Sequence, residues 1–175
     1  MSAPYTSLIF VNYNSAGHLA DALKSLFERE RGTEGWEVIV VNNDPKENYA
    51  LAELQQSLPF LLIESGRNLG FGSGNNMGAK KARGKILGFI NPDVIWTGER
   101  LNEIVNTFSL NQKLGVLGMA LLDNNKKPEA WSVGREPSLA NLCYNNLFSW
   151  LSLKKNEFHT PDWVSGGAMF ISSSL

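Results

Sequence analysis

The strongest constraint on the fold is a strict alternation of two patterns over the first 120 residues. Short apolar runs rich in branched and aromatic side chains take turns with stretches whose apolar residues recur at helical spacing. Ser7 to Val11 reads as a buried strand, and Leu19, Leu23, Leu26 and Phe27 mark a helix that Gly32 stops. Strand Glu37 to Val41 follows, then a helix over about Asn48 to Ser57 that presents Leu51, Leu54 and Leu58. Strand Phe60 to Ile63 comes next, then a helix reaching about Arg83 and strand Lys85 to Ile90. Leu101, Ile104, Val105 and Phe108 give a further helix, expected to be capped by Thr97. Leu114 to Leu122 reads as a fifth strand. Such alternation specifies an α/β fold, a Rossmann-like, mostly parallel sheet with helices on both faces.

After Asp123 the regularity ends. Asn124-Asn125 reads as a turn, and 139–153 as a helix with a broad apolar side followed by Lys154-Lys155. Asp162-Trp163-Val164-Ser165-Gly166-Gly167 leads into a last strand, Ala168 to Ile171. The helix over 139–155 offers either a flank packed on the sheet or a peripheral membrane contact. The serines at 172–174 resemble a helix start, so the fold is expected to continue past Leu175.

Composition removes several function classes. A chain of 175 residues buries about 70% of its unfolded surface, enough for a real core. The net charge of −1 and the absence of a long basic run argue against a nucleic-acid partner, which needs a clustered positive footprint. The one cysteine, Cys143, cannot form an internal disulfide and reads as a small buried hydrophobe. It fits a reducing, cytoplasmic setting. His18 and His159 are too few and too far apart for a metal site. No stretch of 18 apolar residues occurs, and Leu8 to Val11 is too short for a signal peptide.

Two motifs can carry chemistry. Gly70-Phe71-Gly72-Ser73-Gly74 lets the main chain turn sharply and approach a ligand. Asn75 and Asn76 would then fall in the first turn of the next helix, where free N–H groups attract phosphate. The spacing is not that of a dinucleotide fingerprint: the third glycine position is Asn75 or Met77. Gly84-Lys85-Ile86 likewise excludes a phosphate loop of the Gly-Lys-Ser/Thr kind. A structural turn would account for these glycines equally well. Asn91-Pro92-Asp93 closes the fourth strand. Pro92 holds the strand direction and Asp93 projects from its end, although Asn-Pro-Asp standing alone is most often a turn. Ligands of open α/β sheets bind at such ends. One carboxylate plus a diphosphate suffices for magnesium.

Five segments, in order, resemble family 2 glycosyltransferases with the GT-A fold. They are Phe10-Val11-Asn12-Tyr13-Asn14, the strand end Glu37 through Asn43, Arg67 through Asn76, Asn91-Pro92-Asp93 and Asp162 through Gly167. The likeness covers essentially the whole chain and is greatest to bacterial rhamnosyltransferase-type members that build surface polysaccharides. The resemblance implies a metal-dependent, inverting transfer from a nucleoside-diphosphate sugar to a polysaccharide or lipid-linked acceptor. It implies Mg or Mn at Asp93, and a cytoplasmic chain, peripheral at the inner membrane face if the acceptor is lipid-linked. Val11, Tyr13, Asn42, Arg67, Asn68, Gly72, Asn75, Asn91 and Asp93 would bind the nucleotide sugar, with Tyr13 against the base and Asn42 at its polar edge. Trp163, Gly166 and Gly167 would line the acceptor side. On this reading one domain divides into a donor region, residues 1–123, and an acceptor region, residues 124–175. Tyr13 could instead be a packed surface aromatic, Arg67 a solvated cation and Trp163 a core anchor.

Two departures from the family pattern stand out. Asn42-Asn43 occupies the place of the usual Asp-Asn, which removes a charge worth about 1 kcal/mol in a hydrogen bond. The paired acidic residues that usually supply the general base are not found by Gly167, so the base is expected beyond Leu175. Asp162 is the carboxylate within the chain that could act as base or orient the acceptor. A catalytically incomplete nucleotide-sugar-binding module is therefore an alternative. A sugar nucleotidyltransferase is a weaker one, because no glycine- and arginine-rich loop follows Val11.

Overall fold

The computed structural model describes residues 5–123, 125–127, 129, 132–134 and 161–174. The expected helix over 139–153 with Lys154-Lys155, and Cys143 and His159, lie outside the described residues.

A six-stranded sheet in the order β3-β2-β1-β4-β8-β5 forms the centre. Its first four members are parallel: β3 (Leu61–Glu64), β2 (Trp36–Asn42), β1 (Thr6–Asn12) and β4 (Ile86–Ile90). β1 and β2 are central and buried on both faces, which is why Leu8-Ile9-Phe10-Val11 and Val38-Ile39-Val40-Val41 read as unbroken apolar runs. α1 (Ala16–Arg29), α2 (Asn48–Ser57) and α4 (Leu101–Leu110) share one core with the even side chains Leu8, Phe10, Val38 and Val40. α3 (Phe71–Ala79) covers the odd ones, Ile9, Val11 and Val41, from the opposite face. The chain thus runs outward from β1 to β3, then crosses back over the sheet through α3 to β4. The strand order reverses between β1 and β4, the place where such sheets form a crevice.

Three expectations are corrected. The apolar run Leu114 to Leu122 contributes only β5 (Val116–Gly118), an edge strand with Val116 exposed. Gly118 is where Val164 packs, and Leu121 already turns its N–H to the Ser132 hydroxyl (2.9 Å), so pairing cannot extend. β5 also does not continue the parallel series. β8 (Ala168–Ser172) inserts between it and β4, antiparallel to both, with buried Phe170 lying over Gly88 of β4. α3 ends at Ala79 rather than near Arg83. Gly84 must fit against the Ser7 main chain, and the Arg83 N–H is taken by Glu37 (2.8 Å).

The third correction concerns capping. α4 does not use Thr97. The buried carboxylate of Glu30, just past α1, accepts from the N–H groups of Arg100 (2.6 Å) and Leu101 (3.2 Å). The same oxygen accepts from Trp96 Nε1 (2.8 Å), and Thr33 Oγ1 donates to the other (2.9 Å). α1 is started in the same manner. Glu47, in the short 3-10 turn Pro45–Glu47, accepts from the N–H groups of Ser15 (3.0 Å) and Ala16 (3.1 Å). A small second sheet pairs β6 (Val133–Gly134) with β7 (Trp163–Val164).

Candidate functional site

Because β1 to β4 are parallel, Asn12, Asn42, Glu64 and Asn91 end side by side at one edge. β8, being antiparallel, begins at that same edge with Gly167-Ala168. The Asn91 N–H donates to Gly167 O (2.8 Å), so the Asn91-Pro92-Asp93 turn and the Ser165-Gly166-Gly167 turn are stitched together. Asp93 is exposed, and so is Gly166. Gly167 is buried because its α-carbon faces Leu121, where a Cβ would come within 2.7 Å of Cδ1. Trp163 lies across Gly134, where any Cβ would overlap the indole, and Asp162 is exposed at the start of β7.

The glycine segment differs from the expected loop. The helix starts at Phe71, with Gly70 as N-cap at φ 81°, a left-handed conformation that Asn68 supports by accepting from the Gly70 N–H (2.8 Å). Asn75 and Asn76 therefore stand in the second turn, and the N–H groups free of helical partners belong to Phe71, Gly72 and Ser73. Gly72 is exposed with open space around it. Gly74 and Gly78 serve packing: a Cβ would meet Val11 Cγ1 at 2.8 Å and Ile9 Cγ2 at 2.5 Å respectively. Val11 is consequently a packing residue, 5% exposed beneath α3, rather than an open part of the edge.

Asn42 is 1% exposed, and its amide is used within the protein. Its oxygen accepts from Asn12 Nδ2 (3.0 Å) and the Asp44 N–H (3.0 Å), and its nitrogen donates to Asp44 O (3.0 Å) and Glu64 Oε2 (3.0 Å). The Asn48 amide lies against the same groups, 2.8 Å from Asn42 Nδ2 and 2.9 Å from Glu64 Oε2. Asn12 also donates to Glu47 Oε2 (2.8 Å). Two carboxylates therefore bracket two buried amides across three strand ends. Asn43 is equally buried and donates to Gly70 O (3.1 Å), fixing the start of α3 on β2. The Oδ1 atoms of Asn43 and Asn75 are buried without a hydrogen-bond partner. Tyr13 is 55% exposed, and Arg67 is exposed with no ion pair to a described residue.

The edge thus collects Tyr13, Arg67, Asn68, Gly72, Asn91 and Asp93. It withdraws the side chains of Val11, Asn42 and Asn75 from the surface. Sequence reasoning missed Glu47 and Glu64. Glu64 carried a signal, an acidic residue closing the apolar run Leu61-Leu62-Ile63. Among the described residues no group of three or more His, Cys, Asp or Glu side chains converges on a metal position, and none of the helices is long and apolar enough to cross a membrane.

The sequence profile described as glycosyl transferase family 2 matches residues 7–174. The chain belongs to that family. This glycosyltransferase-family chain is 27% identical over 125 residues to an uncharacterised glycosyltransferase of Nostoc sp., covering 69% of the chain and 38% of the relative. It is 29% identical over 105 residues to the minor teichoic acid biosynthesis protein GgaB of Bacillus subtilis, covering 58% of the chain and 12% of that protein. Its fold matches S. aureus TarS 1–349 with a TM-score of 0.64 at 19% identity, over 97% of this chain and 47% of that one. It also matches the mannosyltransferase PcManGT of Pyrobaculum calidifontis, solved with GDP-Man and Mn2+, with a TM-score of 0.62 at 16% identity, over 98% and 45%. TarS 1–349 has been solved with UDP and with UDP-GlcNAc. The chain spans less than half the length of each of these relatives.

Proposed function

We propose that this chain forms the donor-binding portion of a metal-dependent, inverting glycosyltransferase. The donor is a nucleoside-diphosphate sugar, and the acceptor is a polysaccharide or lipid-linked saccharide. The carrying observation is the bond from Asn91 N–H to Gly167 O. It holds the exposed Asp93 and the exposed Gly166 at one sheet edge, which supports donor and acceptor elements meeting there. The GDP-Man and Mn2+ held by PcManGT, the UDP-GlcNAc held by TarS and the teichoic acid role in the name of GgaB support the reading.

Asp93 fits a divalent cation of the Mg or Mn kind, which accepts one carboxylate when substrate phosphates complete its shell. A bound cation would supply Lewis-acid neutralisation of the diphosphate charge. The free N–H groups of Phe71, Gly72 and Ser73 would face the phosphates, Arg67 and Asn68 would border them, and Tyr13 would lie against the base. The acceptor hydroxyl attacks the anomeric carbon from the side opposite the departing diphosphate. Its proton needs a carboxylate within reach. Asp162 is the one carboxylate of 161–174 and stands either as that base or as an orienting group beside Trp163 and Gly167. A module that binds donor without transferring it is the second reading. One domain with a donor region over 1–123 and an acceptor region over 124–175 belongs to the proposal, as does a cytoplasmic setting, supported by the single cysteine.

Calorimetry with UDP, dTDP and GDP, each with and without Mn2+, tests the donor site. We expect at least one to bind more tightly with metal, and Asp93→Ala to remove that gain. Absence of binding by all three would sink the donor reading. Metal-dependent hydrolysis of the matching sugar nucleotide separates an enzyme from a binding module.

A further inference from the structure

Glu64 closes β3 directly opposite Asn42 in the parallel register, and its side chain is exposed although Asn42 is buried. One carboxylate oxygen, Oε2, is held by Asn42 Nδ2 at 3.0 Å, and the Asn48 amide lies at 2.9 Å. Asn42 is itself fixed by Asn12 and Asp44. A surface carboxylate oriented by a buried, fully bonded amide is a preorganised acceptor. Its negative charge is not neutralised by an ion pair with any described residue. Asn43, next in sequence to Asn42, leaves a buried Oδ1 without a donor at the same strand end. The end of β2 and β3 is thus rich in unused acceptors.

Its position along the sheet matters. Asp93 follows β4, and β3 lies three strands away. Three inter-strand spacings span roughly 14 Å. This matches the reach of an extended nucleoside diphosphate, from a phosphate beside Asp93 to the far edge of the base. Resting on the donor-site reading above, we infer that Glu64 reads the base, accepting from the ring N–H that uracil, thymine and guanine carry and that cytosine and adenine lack. The negative Glu64 oxygen repels the acceptor nitrogen that cytosine presents at the same ring position. Glu64 is a specificity residue, and Asn42 is a positioning residue acting through it.

The test is calorimetry with UDP, CDP and 2′-deoxy-UDP on the wild-type chain, Glu64→Gln and Glu64→Ala. The wild type should prefer UDP to CDP. Glu64→Gln keeps an oxygen for Asn42 and turns an NH2 toward the base. UDP binding should fall about ten-fold or more, because that NH2 faces the ring N–H, donor against donor, and nothing replaces the lost charge-assisted hydrogen bond. CDP binding should rise, compressing the UDP-to-CDP ratio about ten-fold or more. Glu64→Ala should lose UDP affinity without gaining CDP. An unchanged UDP-to-CDP ratio in Glu64→Gln, with wild-type UDP binding intact, overturns this inference and leaves the donor site standing. A change confined to the UDP against 2′-deoxy-UDP comparison would assign Glu64 to the ribose and overturn base reading. If the wild type binds GDP or dTDP instead of UDP, the same comparison is made with that nucleotide against CDP, and no binding of UDP, dTDP or GDP by the wild type removes both proposals.

Discussion

Glu30 offers the sharpest physical test, because two substitutions separate its charge from its hydrogen bonds. Its Oε1 accepts from Trp96 Nε1, Arg100 N–H and Leu101 N–H, and Thr33 Oγ1 donates to Oε2, all with Glu30 buried. Glu30→Ala removes the cap of α4, worth about 1–2 kcal/mol. It also strands the buried indole N–H of Trp96, worth about 1–3 kcal/mol, so the loss is about 2–5 kcal/mol. In a chain of this size that lowers Tm by roughly 5–15 °C. Glu30→Gln keeps the oxygen facing three donors and turns its NH2 toward the Thr33 hydroxyl, which can accept. Only the charge is lost, about 1 kcal/mol. Thermal unfolding followed by circular dichroism measures both. Equal losses for Ala and Gln, or a loss under about 1 kcal/mol for Ala, would refute the bonding scheme. Trp96 lies three residues past Asp93 and is also tied through its N–H to Ser25 Oγ (2.8 Å). Glu30→Ala should therefore weaken the Mn2+-dependent component of nucleotide binding more than the metal-independent component.

Gly78→Ala should cost about 1–3 kcal/mol in urea unfolding, since its Cβ would press on Ile9 Cγ2 at 2.5 Å in a filled core. Gly72→Ala has open space and helical geometry, so unfolding should show unchanged or slightly raised stability, by up to about 1 kcal/mol, while nucleotide binding falls. Glu37 is partly desolvated, which raises its pKa, but its bonds to Arg83 and Ser7 more than offset this and hold the carboxyl below its ordinary range. A depressed folded pKa contributes stability above the unfolded value of about 4.3 and loses it as pH falls through the folded value. Urea midpoints between about pH 6 and pH 3 should therefore drop further for the wild type than for Glu37→Gln.

The parallel core was legible because a strand buried on both faces leaves an unbroken apolar run, and β1, β2 and β4 each do so to within two residues at either end. What escaped was whatever depends on contacts distant in sequence. Thr97 was a sound local choice of cap, yet Glu30 takes the role from 70 residues away, a pairing that no window around α4 contains. β8 was visible as an apolar run, but its place between β4 and β5 depends on Gly88 leaving room for Phe170. In the site, the exposed position of Asp93 follows from the strand pattern, whereas Tyr13 and Arg67 were singled out by the family resemblance, and both are exposed at the same edge. Asn42 was expected at the base by that resemblance, yet its side chain is buried. Its burial follows from Asn12 and Glu64 ending level with it on neighbouring strands, which only the register reveals.

The glycines from 70 to 78 join the fold to the chemistry. Gly74 and Gly78, four apart, fall on one face of α3, and each lacks the Cβ that would hold the helix away from Val11 and Ile9. Their closeness brings the first turn of α3 down to the level of Asn43, whose amide then reaches Gly70 O. The free N–H groups of Phe71 to Ser73 end up at the sheet edge because of packing residues one and two turns further along. A run that reads as a loop shaped for phosphate is thus two devices in sequence. Gly70 sets the turn through its left-handed φ and Gly72 leaves the surface open, while Gly74 and Gly78 set the depth. A side chain at 78 should consequently disturb nucleotide binding without ever touching the nucleotide.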